Sequence, residues 1–166
     1  VQNRFINSDI YLLWLRNSLE ISKASFRAWE ATTEYFRATL EVLDNIDNQE
    51  DLALWADGGK RLCSTSAPIA AAYFRSSHIF LTDHDMDDLN QWINAGESLY
   101  HGTWKSGALA TKFFEISPFL LLEFSMEHLM QYVGILDNVA EHSSEMAEEC
   151  LLLAGESFTL LEEEST

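Results

Sequence analysis

Cysteine, proline and positive charge are all scarce in this chain. Its 166 residues hold two cysteines, Cys63 and Cys150, and two prolines, Pro68 and Pro118. The cysteines are far apart and stand in no CxxC spacing, so neither a disulfide framework nor a zinc site is expected, and both are read as reduced thiols. Ten Lys and Arg face 27 Asp and Glu, leaving a net charge of −17. Such a field repels phosphate backbones and anionic lipid, which removes nucleic acid and the membrane surface from the expected partners. No apolar run approaches the roughly 18 residues of a membrane span. The opening VQNRFINSD lacks the basic-then-apolar order of a signal peptide, and the cytoplasm is the expected location. The missing initiator Met and the final LEEEST suggest a processed chain or a piece of a longer protein.

What the chain has is apolar content, 47%, enough for a sizeable core, and a repeat. Trp14, Trp55, Trp92 and Tyr132 are separated by 41, 37 and 40 residues. Three positions before each stand Tyr11, Leu52, Leu89 and Leu129, and seven after stand Ile21, Leu62, Leu99 and Val139. These offsets fall on a single stripe of a helix. Gly59 and Gly96 share the slot that Ser18 and Leu136 fill elsewhere. A small residue there would let a neighbouring helix approach closely, unless the coincidence is accidental.

A second signature follows in each unit: Thr32-x-x-Tyr35-Phe36, Ala70-x-x-Tyr73-Phe74, Ala110-x-x-Phe113-Phe114 and, more weakly, Ala147-x-x-Cys150-Leu151. A small residue followed by two bulky ones at i+3 and i+4 is again a helix face. Thr39, Ser77 and Ser117 come three residues later, the last followed by Pro118. Ser then Pro is the pairing that opens a helix, so a short third helix is expected to carry Val42-Leu43, Phe80-Leu81 and Leu121-Leu122. Gly102-Thr103 and Ser64-Thr65-Ser66 before Pro68 mark breaks between the first and second helices. The expected fold is all-α: a right-handed helical-repeat solenoid of about four units of roughly 40 residues, each two helices plus a short third one. The units are about 7–47, 48–84, 85–124 and 125–166, in a single domain. The fourth is degenerate, with Glu148-Glu149 and Glu162-Glu163-Glu164 on it, as in a terminal cap or a point where a longer array continues.

The stretch TDHDMDD (82–88) looks like the first half of a calcium loop. An EF-hand loop starting at Asp83 would need Gly at its sixth position and Glu at its twelfth, where Asp88 and Asn94 stand. Four residues before the register positions, however, lie Asn7, Asn48, Asp85 and Ser125, all good N-cap residues. Asp85 is therefore expected to cap a helix, with Asp87 and Asp88 in its first turn at the positive end of the dipole.

Other chemistry has little to stand on. The residues three before the five histidines are Arg75, Leu81, Ser98, Ser125 and Val139, so Glu-x-x-His di-iron spacing is missing. There is no HExxH or GxSxG, and DGGKRLCS around Lys60 lacks the first glycine and the Ser or Thr of a phosphate-binding loop. Lys60 and Arg61 read as a solvated pair. Cys63, just past them, is read as a structural thiol rather than as a thiolate nucleophile. The aromatics Phe36, Phe74 and Phe114 read as core, not as a cofactor pocket; no cofactor is expected.

The pattern Leu89-x-x-Trp92-x-x-x-Gly96-x-x-Leu99, followed by Phe113-Phe114-x-x-Ser117-Pro118, resembles helical repeats of long proteins that carry a von Willebrand factor A domain. Those are the nitric-oxide-reductase-activation and Rubisco-activase type, adaptors for MoxR-class AAA+ ATPases. The resemblance spans about residues 7 to 158. This chain has no Asp-x-Ser-x-Ser, the metal-ion motif of the A domain, so that domain and its metal-dependent binding do not carry over. The resemblance implies the scaffold region of an adaptor, with a AAA+ ATPase as partner. Taken together, the expectation is a non-enzymatic scaffold whose partner is another protein, basic or of the AAA+ class. The alternative is a helical small-molecule or metal binder with a pocket between helices and His78, Asp83, His84 and Asp85 as its polar cluster.

Overall fold

The computed structural model describes residues 8–101 and 107–165, with side chains described as far as residue 156. Asn7, the Gly102-Thr103 break, Trp104 and the side chains of Glu162-Glu163-Glu164 lie outside the described residues. Among the described residues there are eight α-helices and no strand: α1 (Ser8–Ser22), α2 (Trp29–Val42), α3 (Gln49–Thr65), α4 (Ala67–Asp83), α5 (Met86–His101), α6 (Gly107–Leu120), α7 (Met126–His142) and α8 (Ser144–Ser165). The protein is all-α. It packs as two compact units, Val1–Ile93 and Asn94–Thr166, and the division falls inside α5.

In the first unit α1 packs on α3 and α2 on α4, while α3 also closes against α4 and α1 against α2. First helix lies on first helix and second on second, so successive hairpins share a core. Aromatic rings fill it, and they do so twice in the same way. Trp14 meets Phe36 edge-on at 5.2 Å and 70°, and Trp55 meets Phe74 at 5.2 Å and 76°. The Tyr35 hydroxyl donates to the Trp14 carbonyl at 2.9 Å, and the Tyr73 hydroxyl to the Trp55 carbonyl at 2.8 Å. Each tyrosine also touches the next tryptophan, Tyr35 to Trp55 at 5.2 Å and Tyr73 to Trp92 at 5.6 Å. Tyr35, Trp55, Tyr73, Phe74 and Trp92 are fully buried, and burial of each large apolar side chain stabilises by about 1.5–3 kcal/mol. The two copies differ in burial, Phe36 being exposed and Phe74 buried, and in the indole N–H: Trp14 Nε1 donates to Thr39 Oγ1 at 2.8 Å, whereas Trp55 Nε1 is buried without a hydrogen-bond partner.

Glycine sets how close the helices come. A Cβ built on Gly59 would lie 1.9 Å from Phe74 Cζ, so the ring occupies the volume a side chain would need. In the second unit a Cβ on Gly96 would lie 2.2 Å from Phe114 Cζ. The shared slot of Gly59 and Gly96 is thus the seat of the second helix's phenylalanine. Where the slot holds the larger Leu136, the position of that phenylalanine holds Leu151, and both leucines are buried. The second unit otherwise rests on α6 and α7 packed against α8, with Phe113, Phe114, Leu129 and Leu136 in its core.

One extended serine joins the helices of two hairpins. Ser66 (φ −163°, ψ 121°) separates α3 from α4, and Ser143 (φ −161°, ψ 114°) separates α7 from α8. The Ser66 N–H donates to Leu62 O at 2.8 Å and the Ser143 N–H to Val139 O at 2.9 Å; Ala70 N and Ala147 N reach the two serine carbonyls at 3.2 Å. Both ends of each joint fall on matching repeat positions.

The short third helix is not present in this fold. Val42 ends α2, Phe80 and Leu81 lie within α4, and Leu121 and Leu122 fall in a turn after α6. The serines read as helix openers sit inside helices, because a hydroxyl can return its hydrogen bond to the carbonyl four residues back. Thr39 Oγ1 donates to Tyr35 O at 2.6 Å, and Ser77 Oγ donates to Tyr73 O. Pro118 lies two residues before α6 ends at Leu120, so it costs α6 one backbone hydrogen bond in its last turn and does not open a new helix.

Candidate functional site

The helix starts explain the acidic stretch. Asn48 Oδ1 accepts from Asp51 N at 2.8 Å, Asp85 Oδ1 from Asp88 N at 2.9 Å and Ser125 Oγ from His128 N at 3.1 Å. Each satisfies an N–H that the helix itself leaves open. Glu50 and Asp51 occupy the first turn of α3, and Asp87 and Asp88 that of α5, where the dipole favours carboxylates.

His78, His84 and Asp85 have separate partners, and Asp83 does not join them. His78 Nδ1 lies 3.0 Å from Glu41 Oε2 across the α2–α4 contact. His84 Nδ1 lies 3.0 Å from Asp88 Oδ2, and its ring stacks on Phe80 at 4.8 Å. Asp85 is the cap just described, and Asp83 is exposed at the end of α4. Among the described residues no three His, Cys, Asp or Glu side chains gather as a metal ion requires.

Cys63 is buried, with Sγ 3.7 Å from Ser25 Oγ and 3.9 Å from Ile21 O. Burial pushes its thiol above the ordinary range, the opposite of what a nucleophile needs. Lys60 leans away to Glu20 at 3.4 Å. Cys150 is exposed, with Sγ 3.7 Å from the Tyr132 hydroxyl.

One recess of the first unit lies between α3 and the start of α5. It is a cleft of about 450 Å³. Leu54, Asp57, Gly58 and Arg61 of α3 form one wall, and Met86, Asp87, Asn90 and Ile93 of α5 the other. Gly58 lies at the closest approach: a Cβ there would stand 2.5 Å from Ile93 Cδ1 and 3.0 Å from the Tyr73 hydroxyl. Glycine therefore lets Ile93 seat and leaves Tyr73 room to bond Trp55. The lining combines apolar Leu54, Met86 and Ile93 with two carboxylates and one guanidinium, and it includes no Ser, Cys, His or Lys. Its volume is that of a small-ligand site, and its chemistry suits an apolar group carrying a positive charge.

No protein-family model, curated protein or solved structure matches this chain. No described helix is long and apolar enough to cross a membrane. The cleft draws on residues that sequence reasoning passed over or read otherwise: Asp57, Met86 and Asn90 fall off the repeat register, and Arg61 was read only as a solvated charge. The signal available is slight: Asp57 and Arg61 stand four apart, on the face of α3 that also carries Leu54 and Gly58.

Proposed function

We propose that the chain is a non-enzymatic protein-interaction scaffold of the right-handed helical-repeat solenoid class, with the α3–α5 cleft as a docking point for a basic segment of another protein. The reading is supported most by one observation: the same Trp, Tyr and Phe geometry is built twice in the first unit, at matching distances, from matching repeat positions. A core made of repeated hairpins uses its repeated geometry for stacking and leaves its helix surfaces for recognition. The net charge of −17 favours a basic partner, and the sequence resemblance points to a AAA+ ATPase. Two lysate captures test this, one with the wild-type chain and one with Leu54→Asp/Asp87→Lys. A protein held by the first and lost by the second, then shown to bind as a purified protein, supports the reading. Identical sets on both baits would defeat it.

A second reading has the same cleft holding a small cationic ligand. Ligand binding to the folded state must raise the melting temperature. A metabolite panel that leaves the wild-type melting temperature unmoved would remove this alternative.

A further inference from the structure

Residues 23–28 join α1 to α2, where a single serine joins α3 to α4 and α7 to α8. These added residues are fixed at their base. Ile21 and Ala28 are buried, Ala24 N donates to Ile21 O at 3.0 Å, and Ser25 Oγ lies 3.7 Å from Cys63 Sγ. The loop holds out Phe26, fully exposed at 102%, and beside it Trp29, 67% exposed at the first position of α2. The segment is internal to the chain and has no counterpart at the serine joints, so stacking of hairpins assigns it no place.

The same loop is positively charged in an acidic protein. From 21 to 29 the chain holds Lys23 and Arg27 and no Asp or Glu. Glu20, just before, is engaged by Lys60 at 3.4 Å. Arg37 and Arg75 both pair with Glu34, whereas Lys23 and Arg27 form no ion pair among the described residues.

The cleft between α3 and α5 has the converse chemistry. Leu54, Met86 and Ile93 give it apolar walls, Asp57 and Asp87 outnumber Arg61, and its volume of about 450 Å³ has room for an aromatic ring with a cation beside it. Within one chain the two cannot meet. Cys63, which the loop touches, follows Leu54 by nine positions, and at 3.6 residues per turn it points to the opposite side of α3. The helix stands between its own loop and its own cleft.

We infer that the 23–29 loop of one copy docks in the α3–α5 cleft of a second copy, with Phe26 against Leu54, Met86 and Ile93 and with Lys23 and Arg27 beside Asp57 and Asp87. The inference rests on the cleft being a docking point for a basic segment, and it names that segment. A basic partner protein would then compete with self-association. Because the loop is already folded, docking costs it little conformational freedom. The contact is smaller than a stable interface, so the association is weak. Overall repulsion between two acidic chains confines it to ionic strengths near 0.15 M and above, where charges farther apart than about 8 Å are screened and the local match prevails.

Sedimentation velocity from micromolar to millimolar protein, in about 0.15 M salt, tests it. The wild-type chain is expected to gain mass with concentration. Phe26→Glu puts a carboxylate into an acidic cleft, and Asp87→Lys sets a cation against Lys23 and Arg27; each should weaken association by about tenfold or more. Both positions are exposed, so folding should be unaffected, and an equimolar mixture of the two variants should recover a 1:1 complex, because one keeps the cleft and the other the loop. Misfolded variants would not combine. A wild-type chain that stays monomeric to millimolar concentration would overturn the inference, as would a mixture that fails to associate. Association that Phe26→Glu leaves unchanged would also overturn it; if Asp87→Lys still abolished that association, the cleft would hold a different segment and its reading as a docking point would stand.

Discussion

Replacing Gly59 by alanine should destabilise the protein, although alanine is the better helix former. In an exposed helix the change would gain about 1 kcal/mol. At Gly59 the new Cβ would stand 1.9, 2.4 and 2.6 Å from three atoms of the Phe74 ring, where ordinary contact begins at 3.4 Å. The ring would have to retreat by about 1.5 Å, and its surroundings are filled: Tyr35 stacks at 5.4 Å, Trp55 meets it at 5.2 Å and Tyr73 at 5.2 Å. Overpacking of this kind costs about 1–3 kcal/mol and occasionally more. Three simultaneous clashes against a fully buried ring put the cost at or above the top of that range. After the helix gain is subtracted, the expected loss is about 2 kcal/mol. Gly134→Ala is the internal control, because nothing lies within 4 Å of its would-be Cβ; it should stabilise by up to about 1 kcal/mol. The remedy is written in α7 and α8, where the buried Leu136 and Leu151 stand at the corresponding positions. Phe74→Leu alone should cost roughly 1 kcal/mol as a modest change of core shape. The Gly59→Ala/Phe74→Leu double variant should then lose at least about 1 kcal/mol less than the sum of the singles, as expected for residues in direct contact. Urea unfolding followed by far-UV circular dichroism measures all four. Equal effects at Gly59 and Gly134, or strict additivity in the double variant, would refute the reasoning.

Three other outcomes follow from the core and its titrating groups. Trp55→Ala and Trp92→Ala should each cost about 3–5 kcal/mol through a buried cavity, whereas Trp29, 67% exposed, should lose less than about 1 kcal/mol by area; denaturant midpoints that rank the three alike would contradict the register. Burial holds the hydroxyls of Tyr35, Tyr73 and Tyr132 neutral, with folded values above the ordinary 10.0. The stability they contribute is present below pH 10 and lost as pH rises toward the folded values. Unfolding midpoints should therefore fall between pH 9 and 11.5, and Tyr73→Phe should weaken that fall while costing about 1–2 kcal/mol at pH 8 by stripping Trp55 O of its donor; a flat profile would count against buried neutral tyrosines. A thiol reagent should label Cys150 quickly and Cys63 only on unfolding, since Cys63 is buried and its thiol is shifted upward; two equally fast sites would mean that the first unit opens far more readily than its packing implies.

The sequence by itself determined that the chain is helical and which stripe of the first helices is apolar, but not where the second helices end. A tryptophan or tyrosine returning every 37 to 41 residues fixes which stripe of each first helix faces inward, because side chains three, four and seven apart share a face. Asn48, Asp85 and Ser125 could be read as caps because the capping bond is local, reaching only three residues. The same locality misled at Thr39, Ser77 and Ser117, where a hydroxyl that opens a helix in one context bonds back within a helix in another. Only the tertiary structure decided that the slot shared by Gly59 and Gly96 receives a phenylalanine from the next helix, that Asp57, Arg61, Met86 and Ile93 meet across one cleft, and that Phe36 stands open while Phe74 is covered. Each of these depends on what a second helix brings to the first, and residues far apart in the chain carry no sign of that distance in their own spacing.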